Sequence, residues 1–200
     1  MTTRRASATG RGRAVGIASE WRSLSATIRR CTRCPLHATR THAVVYRGSL
    51  APRIVFVGEA PGAEEDRVGR PFVGRSGRLL DVAITELGLA EDEFGVLNVI
   101  KCRPPGNRFD PSAARTCRPY LDHQLELLRP ERLVTLGAHA LTALDPAAPP
   151  VMRAAGAPRY RDGPPIFPLL HPAAALRSRR WAERWAHDVG ALRRWLAQPV

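Results

Sequence analysis

Lysine is almost absent from this 200-residue sequence. Lys101 is the only lysine, so nearly all of the 31 basic residues are arginine, and they outnumber the 18 acidic residues. The resulting formal charge of +13 attracts polyanions and favours a nucleic-acid partner over a small acidic metabolite. An arginine bias can also reflect genome composition, so basicity alone does not identify a function.

Long apolar runs are also missing. No segment approaches the roughly 18 consecutive apolar residues that a membrane-spanning helix needs, and the N-terminus lacks the hydrophobic core of a secretory signal. Residues 1–17 carry four arginines and no acid, which predicts a disordered basic tail rather than an organellar transit peptide. We expect residues 18–200 to form one domain in the reducing cytoplasm, without a membrane partner.

Apolar runs alternate with amphipathic segments along the chain. Four β-branched runs predict buried strands at 53–58, 96–100, 132–136 and 166–170. Helices are predicted at 20–30, 76–87, 111–128, from 137 onward and at 180–196. This alternation predicts an α/β fold, a three-layer α/β/α sandwich with a central, mainly parallel four-stranded sheet.

Polar residues follow three of the predicted strands. Glu59, Asn98 and His171 each stand at or just beyond the carboxyl end of a strand. Ligands of open parallel sheets bind at that edge, so these residues predict the position of the functional site.

Four cysteines form the second candidate site. Cys31 and Cys34 make a C-x2-C pair, and Cys102 and Cys117 follow later in the chain. Disulfides are disfavoured without an export signal, and the second pair is spaced too widely for a typical zinc knuckle. From the spacing alone, an iron–sulfur cluster is somewhat more probable than a zinc site. A third interpretation is that some of the cysteines are simply small buried residues.

The loop at 58–62 (Gly-Glu-Ala-Pro-Gly) follows a predicted strand but matches neither a Walker loop nor a dinucleotide fingerprint. No Gly-Lys-Ser/Thr occurs, which argues against nucleotide hydrolysis. Backbone amides in such a turn can still bind a carbonyl or phosphate oxygen. Taken alone, this motif is weakly specific.

Several motifs taken together are specific. The chain closely resembles the family-4 uracil-DNA glycosylases in six segments that occur in the family's order: Cys-x2-Cys-Pro-Leu at 31–36, Gly-Glu-Ala-Pro-Gly at 58–62, Gly-Arg-Pro-Phe-Val-Gly at 69–74, Asn-Val-Ile-Lys-Cys-Arg-Pro-Pro at 98–105, Cys-Arg-Pro-Tyr-Leu at 117–121 and Leu-His-Pro at 170–172. The Leu-Gly pair at 136–137 also matches. The resemblance extends from Cys31 to about Leu196.

This resemblance implies an enzyme of DNA base-excision repair that hydrolyses the glycosidic bond of uracil in DNA, a base formed by cytosine deamination. It implies a [4Fe-4S] cluster bound by Cys31, Cys34, Cys102 and Cys117. It also implies a monomer that acts near the nucleoid on single- or double-stranded uracil-containing DNA.

The resemblance assigns roles to individual residues. Phe72 resembles the ring that stacks on the flipped uracil, Asn98 the side chain that hydrogen-bonds its edge, and His171 the catalytic histidine beside a uracil oxygen. Without the resemblance, Phe72 would be interpreted as a core aromatic, Asn98 as a turn residue and His171 as an exposed loop residue. Uracil contacts are expected from Glu59, Ala60, Pro61, Phe72, Asn98 and His171.

One position differs from the best-known relatives, and one loop departs from the family pattern. Ala60 occupies the place where many relatives have a water-activating aspartate, so Glu59 becomes the candidate for that role, with Glu65 or Asp66 as alternatives. The loop after His171 is rich in alanine, which leaves Leu176 and Arg177 as candidates for the DNA contact beside the flipped base. Weak insertion by this loop would favour single strands or mismatches.

Three other functions are compatible with the sequence. A covalent uracil-DNA binder would use a histidine on an inserted loop, but no histidine lies between Lys101 and Cys117. A non-catalytic iron–sulfur protein would bind DNA and release no base. A zinc-containing DNA binder would be colourless, whereas an iron–sulfur cluster absorbs visible light.

Overall fold

The structure is a computed structural model that describes residues 8–199, with side chains described from residue 16 onward. Five strands form one sheet in the order β1-β3-β2-β4-β5. All neighbours in the sheet pair in parallel except β1, which is antiparallel to β3. The strands are β1 Arg47–Gly48, β2 Ile54–Gly58, β3 Phe94–Asn98, β4 Arg132–Leu136 and β5 Ile166–Leu169.

Eight α-helices are present among the described residues. They are α1 Ala8–Arg29, α2 Ala63–Val68, α3 Arg75–Glu86, α4 Pro111–Leu128, α5 Ala138–Leu144, α6 Val151–Ala154, α7 Pro172–Ala175 and α8 Arg179–Leu196. Two short 3-10 segments, Pro35–Ala38 and Pro105–Asn107, lie in the loops after α1 and β3.

The sheet is covered on both faces, as the alternating pattern predicts. Val55 and Val57 pack into one hydrophobic cluster with residues of α1, α4 and α5. Ile54 and Phe56 point the other way, into a second cluster with residues of α3 and α8. Successive side chains of a strand alternate between faces, so one apolar strand serves two helix layers. The predicted three-layer α/β/α sandwich is confirmed.

Helix α4 shows how local sequence determines an element boundary. Asp110 caps the helix by accepting hydrogen bonds from the backbone N–H groups of Ser112 at 2.8 Å and Ala113 at 3.0 Å. Pro111 occupies the first turn, where a missing N–H has no cost. The predicted helix at 111–128 is confirmed, and its start also determines where Phe109 lies.

Three expectations from the sequence differ from the structure. The sheet has five strands instead of four, because β1 contains only two residues and carries no periodic signal. Helix α1 starts at Ala8 instead of residue 20. The loop after β2 contains the short helix α2, which the sequence analysis did not predict.

The predicted basic tail, residues 1–17, falls partly outside the described residues. The assignment of residues 18–200 to one domain remains a prediction. Among residues 8–199, no helix combines the length and apolar character needed to cross a bilayer.

The connections around β2 determine where the ligand crevice opens. The chain passes from β2 to β3 on one side of the sheet, and β4 and β5 then lie on the other side of β2. Loops that leave β2 and β4 therefore diverge, which opens a crevice at their carboxyl ends.

Candidate active site

A cavity of about 860 Å³ opens at the carboxyl edge of the sheet. Eight of the residues predicted from the sequence line it: Glu59, Ala60, Pro61, Glu65, Phe72, Asn98, His171 and Arg177. They come from the loops after β2 and β5, the end of β3 and the segment before α3. The fold therefore brings together residues separated by more than a hundred positions in the chain.

Gly58 allows Phe72 and Asn98 to approach each other. A Cβ atom at position 58 would lie 2.5 Å from Cζ of Phe72 and would also overlap with Oδ1 of Asn98. Any larger residue would therefore displace one or both side chains. Phe72 itself has a left-handed backbone with φ of 55°. A bulky residue in that conformation is strained, which marks this loop as a candidate functional segment.

Asn98 is the most informative residue of the cavity. Its side chain is 1% exposed, and Oδ1 is buried without a hydrogen-bond partner among the described residues. An unpaired buried amide oxygen costs about 1–3 kcal/mol. A ligand N–H that donated to Oδ1 would recover this cost.

His171 follows β5 and lines the same cavity as Asn98. Its ring centroid is 5.9 Å from that of Phe72, and the two planes are inclined by 31°. Gly137 has φ of +96°, and a Cβ atom there would come within 3.1 Å of Cβ of His171. A glycine at this position therefore leaves room for His171 beside the end of β4.

The protonation of His171 follows from its contacts. The backbone N–H of Ala173 donates to Nδ1 of His171 at 3.1 Å, so Nδ1 is an acceptor and the neutral ring carries its proton on Nε2. Burial lowers the pKa of His171, Glu59 and Glu65 oppose this shift, and Arg177 adds to it. His171 is consequently a neutral donor through Nε2–H at neutral pH.

Glu59 contacts a second histidine. Nδ1 of His139, on the first turn of α5, donates to Oε2 of Glu59 at 2.7 Å. The His139 ring stacks on Phe109 with centroids 3.8 Å apart and planes inclined by 9°. Glu59 and His139 both line the cavity.

The other two carboxylates proposed for water activation have structural contacts instead. Glu65 accepts hydrogen bonds from the backbone N–H groups of Gly62, Val73 and Gly74, so it ties the loop after β2 to the Phe72 segment. Asp66 is buried and accepts from the backbone of Thr41. Glu59 is therefore the better placed of the three to contact a water in the cavity.

Leu176 and Arg177 follow α7 at the mouth of the cavity. Leu176 is 43% exposed, and Arg177 lines the cavity. An exposed leucine next to an exposed arginine offers an apolar side chain for a base stack and a cation for a phosphate. Their predicted role in DNA binding remains a prediction.

The four cysteines, here called the cysteine site, are all free thiols. Cys31 and Cys34 follow α1, Cys102 follows β3, and Cys117 lies in α4. Burial raises the pKa of Cys102 and Cys117, and the charge of neighbouring thiols, Cys34 among them, raises both further. Cys102 and Cys117 belong to the same hydrophobic cluster, and Cys31 and Cys34 pack against it.

The cysteine site has cationic neighbours. The guanidinium of Arg40 donates to Sγ of Cys102 at 3.0 Å. Burial raises the pKa of Cys31, but hydrogen bonds from Tyr120 and Arg33 outweigh that effect and lower it. Positive charge and hydrogen bonds favour thiolates, which are the form that binds metals.

Within the part of the chain that the structure describes, no three Cys, His, Asp or Glu side chains stand close enough together to hold a single metal ion. Thiolates are ligands of both zinc and iron–sulfur clusters, so the chemistry of the four side chains suits either group.

Lys101 connects the cysteine site to the cavity. Its side chain is fully buried, and Nζ donates to the backbone carbonyl of Asn98 at 2.5 Å. Burial lowers the pKa of Lys101 to about 7, and the neighbouring charges of Cys117, Asp122 and Cys102 raise it. The only lysine of the chain thus lies between Asn98 and the thiols.

Comparison with known proteins agrees with this architecture. The Uracil DNA glycosylase superfamily profile matches residues 45–192. The "Type-4 uracil-DNA glycosylase" of Thermotoga maritima is 43% identical over 159 residues, which cover 78% of this chain and 83% of the relative. The chain belongs to the type-4 uracil-DNA glycosylase family.

A second member of the type-4 family, from Archaeoglobus fulgidus, is 37% identical over 167 residues, covering 79% of this chain and 84% of the relative. The "Type-5 uracil-DNA glycosylase" of Pyrobaculum aerophilum is 33% identical over 112 residues, or 48% of this chain and 50% of the relative. The similarity thus extends over more of the chain among type-4 members than in this type-5 match.

Two residues of this type-4 family member were missed by the sequence analysis. His139 and Phe109 stand close to the starts of two predicted helices, and no function was expected of either residue. A usable signal was present for His139, which stands three residues beyond the predicted end of β4 and therefore at the carboxyl edge of the sheet. The sequence holds no such indication for Phe109. Its stacking on His139 depends on the path of the loop between β3 and α4, which the sequence pattern does not predict.

Proposed function

We propose that this chain hydrolyses the N-glycosidic bond of uracil in DNA, releasing free uracil and leaving an abasic site for base-excision repair. The observation that carries the proposal is the buried, unpaired Oδ1 of Asn98 in a cavity shared with Phe72 and His171. The names of the type-4 relatives support the same activity.

The glycosidic bond of a stacked base is inaccessible, so the nucleotide must be turned out of the DNA into the cavity. Unstacking costs a few kcal/mol, and stacking on an aromatic ring recovers about 1–3 kcal/mol. Phe72 presents such a ring next to Asn98, where it would contact one face of the base.

Asn98 would distinguish uracil from cytosine. Uracil presents an N3–H donor and an O4 acceptor, whereas cytosine presents an acceptor and an amine at the same positions. The Asn98 side chain matches uracil, because its Oδ1 accepts from N3–H and its amide donates to O4. Cytosine would leave these buried groups unpaired, which is the basis of strong discrimination.

His171 would stabilise the departing base. As the C1′–N1 bond breaks, its electron pair moves into the uracil ring and negative charge accumulates on O2. The Nε2–H of neutral His171 is available to donate to that oxygen, because Nδ1 already accepts from Ala173. Loss of one such donor typically costs about 3–4 kcal/mol of transition-state stabilisation.

A water molecule would complete the reaction. Its oxygen forms the new bond to C1′, and Glu59 takes its proton while uracil leaves as the anion. General-base catalysis of this kind contributes about 10²–10⁴-fold to a rate. Glu59 replaces the aspartate that many relatives carry one position later, where this chain has Ala60.

The cysteine site would hold a [4Fe-4S] cluster through Cys31, Cys34, Cys102 and Cys117. When bound, such a cluster supplies a rigid cross-link among the segment after α1, the loop after β3 and helix α4. Recognition of uracil would depend on the protein side chains and not on the cluster. Lys101, next to the cysteine site, holds the backbone of Asn98 in place through its hydrogen bond to the Asn98 carbonyl.

The DNA surface would surround the mouth of the cavity. Leu176 fills the gap left by the flipped base, while Arg177 and the exposed arginines at the start of α8 contact phosphates. We propose that the chain acts as a monomer in the cytoplasm, near the nucleoid, on single- or double-stranded DNA.

The decisive experiment uses an oligonucleotide with one uracil, treated with alkali after incubation with the purified protein. We expect cleavage at the uracil, and a loss of at least about 100-fold in the excision rate for Asn98→Ala and for His171→Ala. His187→Ala, on the exposed surface of α8, is the matched control. An intact oligonucleotide with folded protein would exclude the enzymatic function and favour a non-catalytic uracil-DNA binder.

The covalent alternative is tested by the same samples. A protein–DNA adduct that persists on a denaturing gel would identify a covalent uracil-DNA-binding protein. Free uracil released in amounts beyond one equivalent per protein molecule would instead establish turnover.

A further inference from the structure

Glu59 and His139 meet at the point where the connections of the sheet diverge. Glu59 directly follows β2, and His139 lies three residues beyond the end of the adjacent strand β4. Their contact at 2.7 Å therefore lies on the lining of the cavity, at the crevice where parallel sheets bind ligands.

The imidazole of His139 is held on its other side by Phe109. The two rings are nearly parallel, with planes inclined by 9° and centroids 3.8 Å apart. Phe109 packs against the hydrophobic core and directly precedes Asp110, the N-cap of α4. A rigid helix start thus positions the ring on which His139 rests.

Glu59 differs from the two other glutamates that line the cavity. Glu64 pairs with Arg67, and Glu65 binds three backbone N–H groups through its two oxygens. For Glu59, the described contacts involve Oε2 alone. One carboxylate oxygen is therefore fixed by the protein, and the other is left for a water or substrate atom.

We propose that His139 is a positioning residue for the hydrolytic water. It holds Glu59 through Oε2 so that Oε1 orients the water and accepts its proton as the water oxygen bonds to C1′. This inference rests on the proposed function. It names a residue to which the family resemblance assigns no role, and it explains how Glu59 can act although position 60 is an alanine.

The test measures single-turnover excision of uracil from a single-stranded oligonucleotide. We expect His139→Ala to slow the chemical step about 10-fold, which is the rate equivalent of losing one hydrogen bond to a charged group. His139→Asn should retain most of the rate, because its amide nitrogen occupies the place of Nδ1. His139→Gln should not, because its amide extends to the place of Nε2.

A double-mutant cycle separates positioning from a structural role. Glu59→Gln removes the proton acceptor, so adding His139→Ala to it should cause no further loss of rate. Affinity for DNA carrying an abasic-site analogue and the melting temperature should remain unchanged in the single variants. His123→Ala is the matched control, because His123 and Glu20 form another histidine–glutamate pair, 3.5 Å apart and away from the cavity.

The outcomes distinguish the two proposals. If the unsubstituted protein releases no uracil, the proposed function fails and the role of His139 fails with it. If the unsubstituted protein releases uracil while His139→Ala is equally fast, only the positioning role is overturned. Losses that multiply in the double variant would also overturn it, since His139 would then act independently of Glu59.

Discussion

The cavity and the cysteine site are neighbours in the fold, yet they treat polar groups in opposite ways. In the cavity, Asn98 presents a buried oxygen without a partner among the described residues. In the cysteine site, thiols receive hydrogen bonds or positive charge from Arg40, Arg33 and Lys101. The cavity thus leaves a buried acceptor without a protein partner, whereas the cysteine site surrounds its sulfur atoms with donors and positive charge.

The largest effect should come from the cysteine site. Cys117→Ser replaces a buried thiol of α4, and we expect it to abolish the visible absorption of the purified protein. The free energy of unfolding should fall by more than about 4 kcal/mol, because a metal cross-link among three segments is lost. Iron analysis and thermal melts measure both effects.

Thr116→Ser, one residue earlier in the same helix, is the control for Cys117→Ser. A Cys117→Ser protein that keeps its colour and melting temperature would show that the cysteine site binds no cluster. The contrast between the two regions would then be lost.

Substitutions in the cavity should lower the rate of uracil excision more than the stability of the protein. Gly58→Ala places a Cβ atom 2.5 Å from Cζ of Phe72, so Phe72 and Asn98 must move apart. Displacement of reacting groups by about 1 Å can cost about 100-fold, and we expect a loss of that size in single-turnover excision. Gly190→Ala, where the only atom near a new Cβ is the end of Arg194 at 3.7 Å, should retain the full rate.

Lys101 tests the connection between the two regions. Lys101→Met removes the donor to the Asn98 carbonyl while keeping an apolar chain of similar length. We expect a loss of about 2 kcal/mol in the free energy of unfolding, together with weaker inhibition by free uracil. Arg115→Gln, which removes a charge from the exposed surface of α4, controls for net charge; equal effects of both variants would contradict the connection.

The smallest effect concerns the titration of His171. Burial lowers its pKa below the ordinary 6.5, Glu59 raises it and Arg177 lowers it. Glu59→Gln should therefore move the NMR titration midpoint of His171 further down, and Arg177→Ala should move it up. A midpoint above 6.5 in the unsubstituted protein would contradict the burial of this ring.

The same shift determines how stability depends on pH. The unfolded chain binds a proton at His171 near pH 6.5, while the folded chain resists it until a lower pH. His171 therefore contributes stability that is present above pH 6.5 and is lost as the pH falls through the lower folded value. Replacement by Gln should flatten this part of the curve.

The sequence predicted the strands that carry the site because burial on both faces leaves a clear apolar signal. The strand at 132–136 was predicted with the bounds that β4 has in the structure. Strand β1 could not be predicted, because a strand of two residues shows no periodicity. Its pairing with β3 also joins segments that are far apart in the sequence.

The candidate site was predictable where side chains stand at strand ends. Glu59, Asn98 and His171 follow this rule, and all three line the cavity. The stack of Phe109 on His139 was not predictable, because it depends on how two loops approach in space. The full use of the Glu65 oxygens by backbone N–H groups was hidden for the same reason.

Both rims of the sheet are poor templates for a further strand. On one rim β1 offers only two residues, and on the other Pro168 in β5 has no N–H to donate. Arg159 also bridges to Ile166 along that outer rim. Two copies of the chain thus have little backbone to share edge to edge, which disfavours aggregation even at high protein concentration.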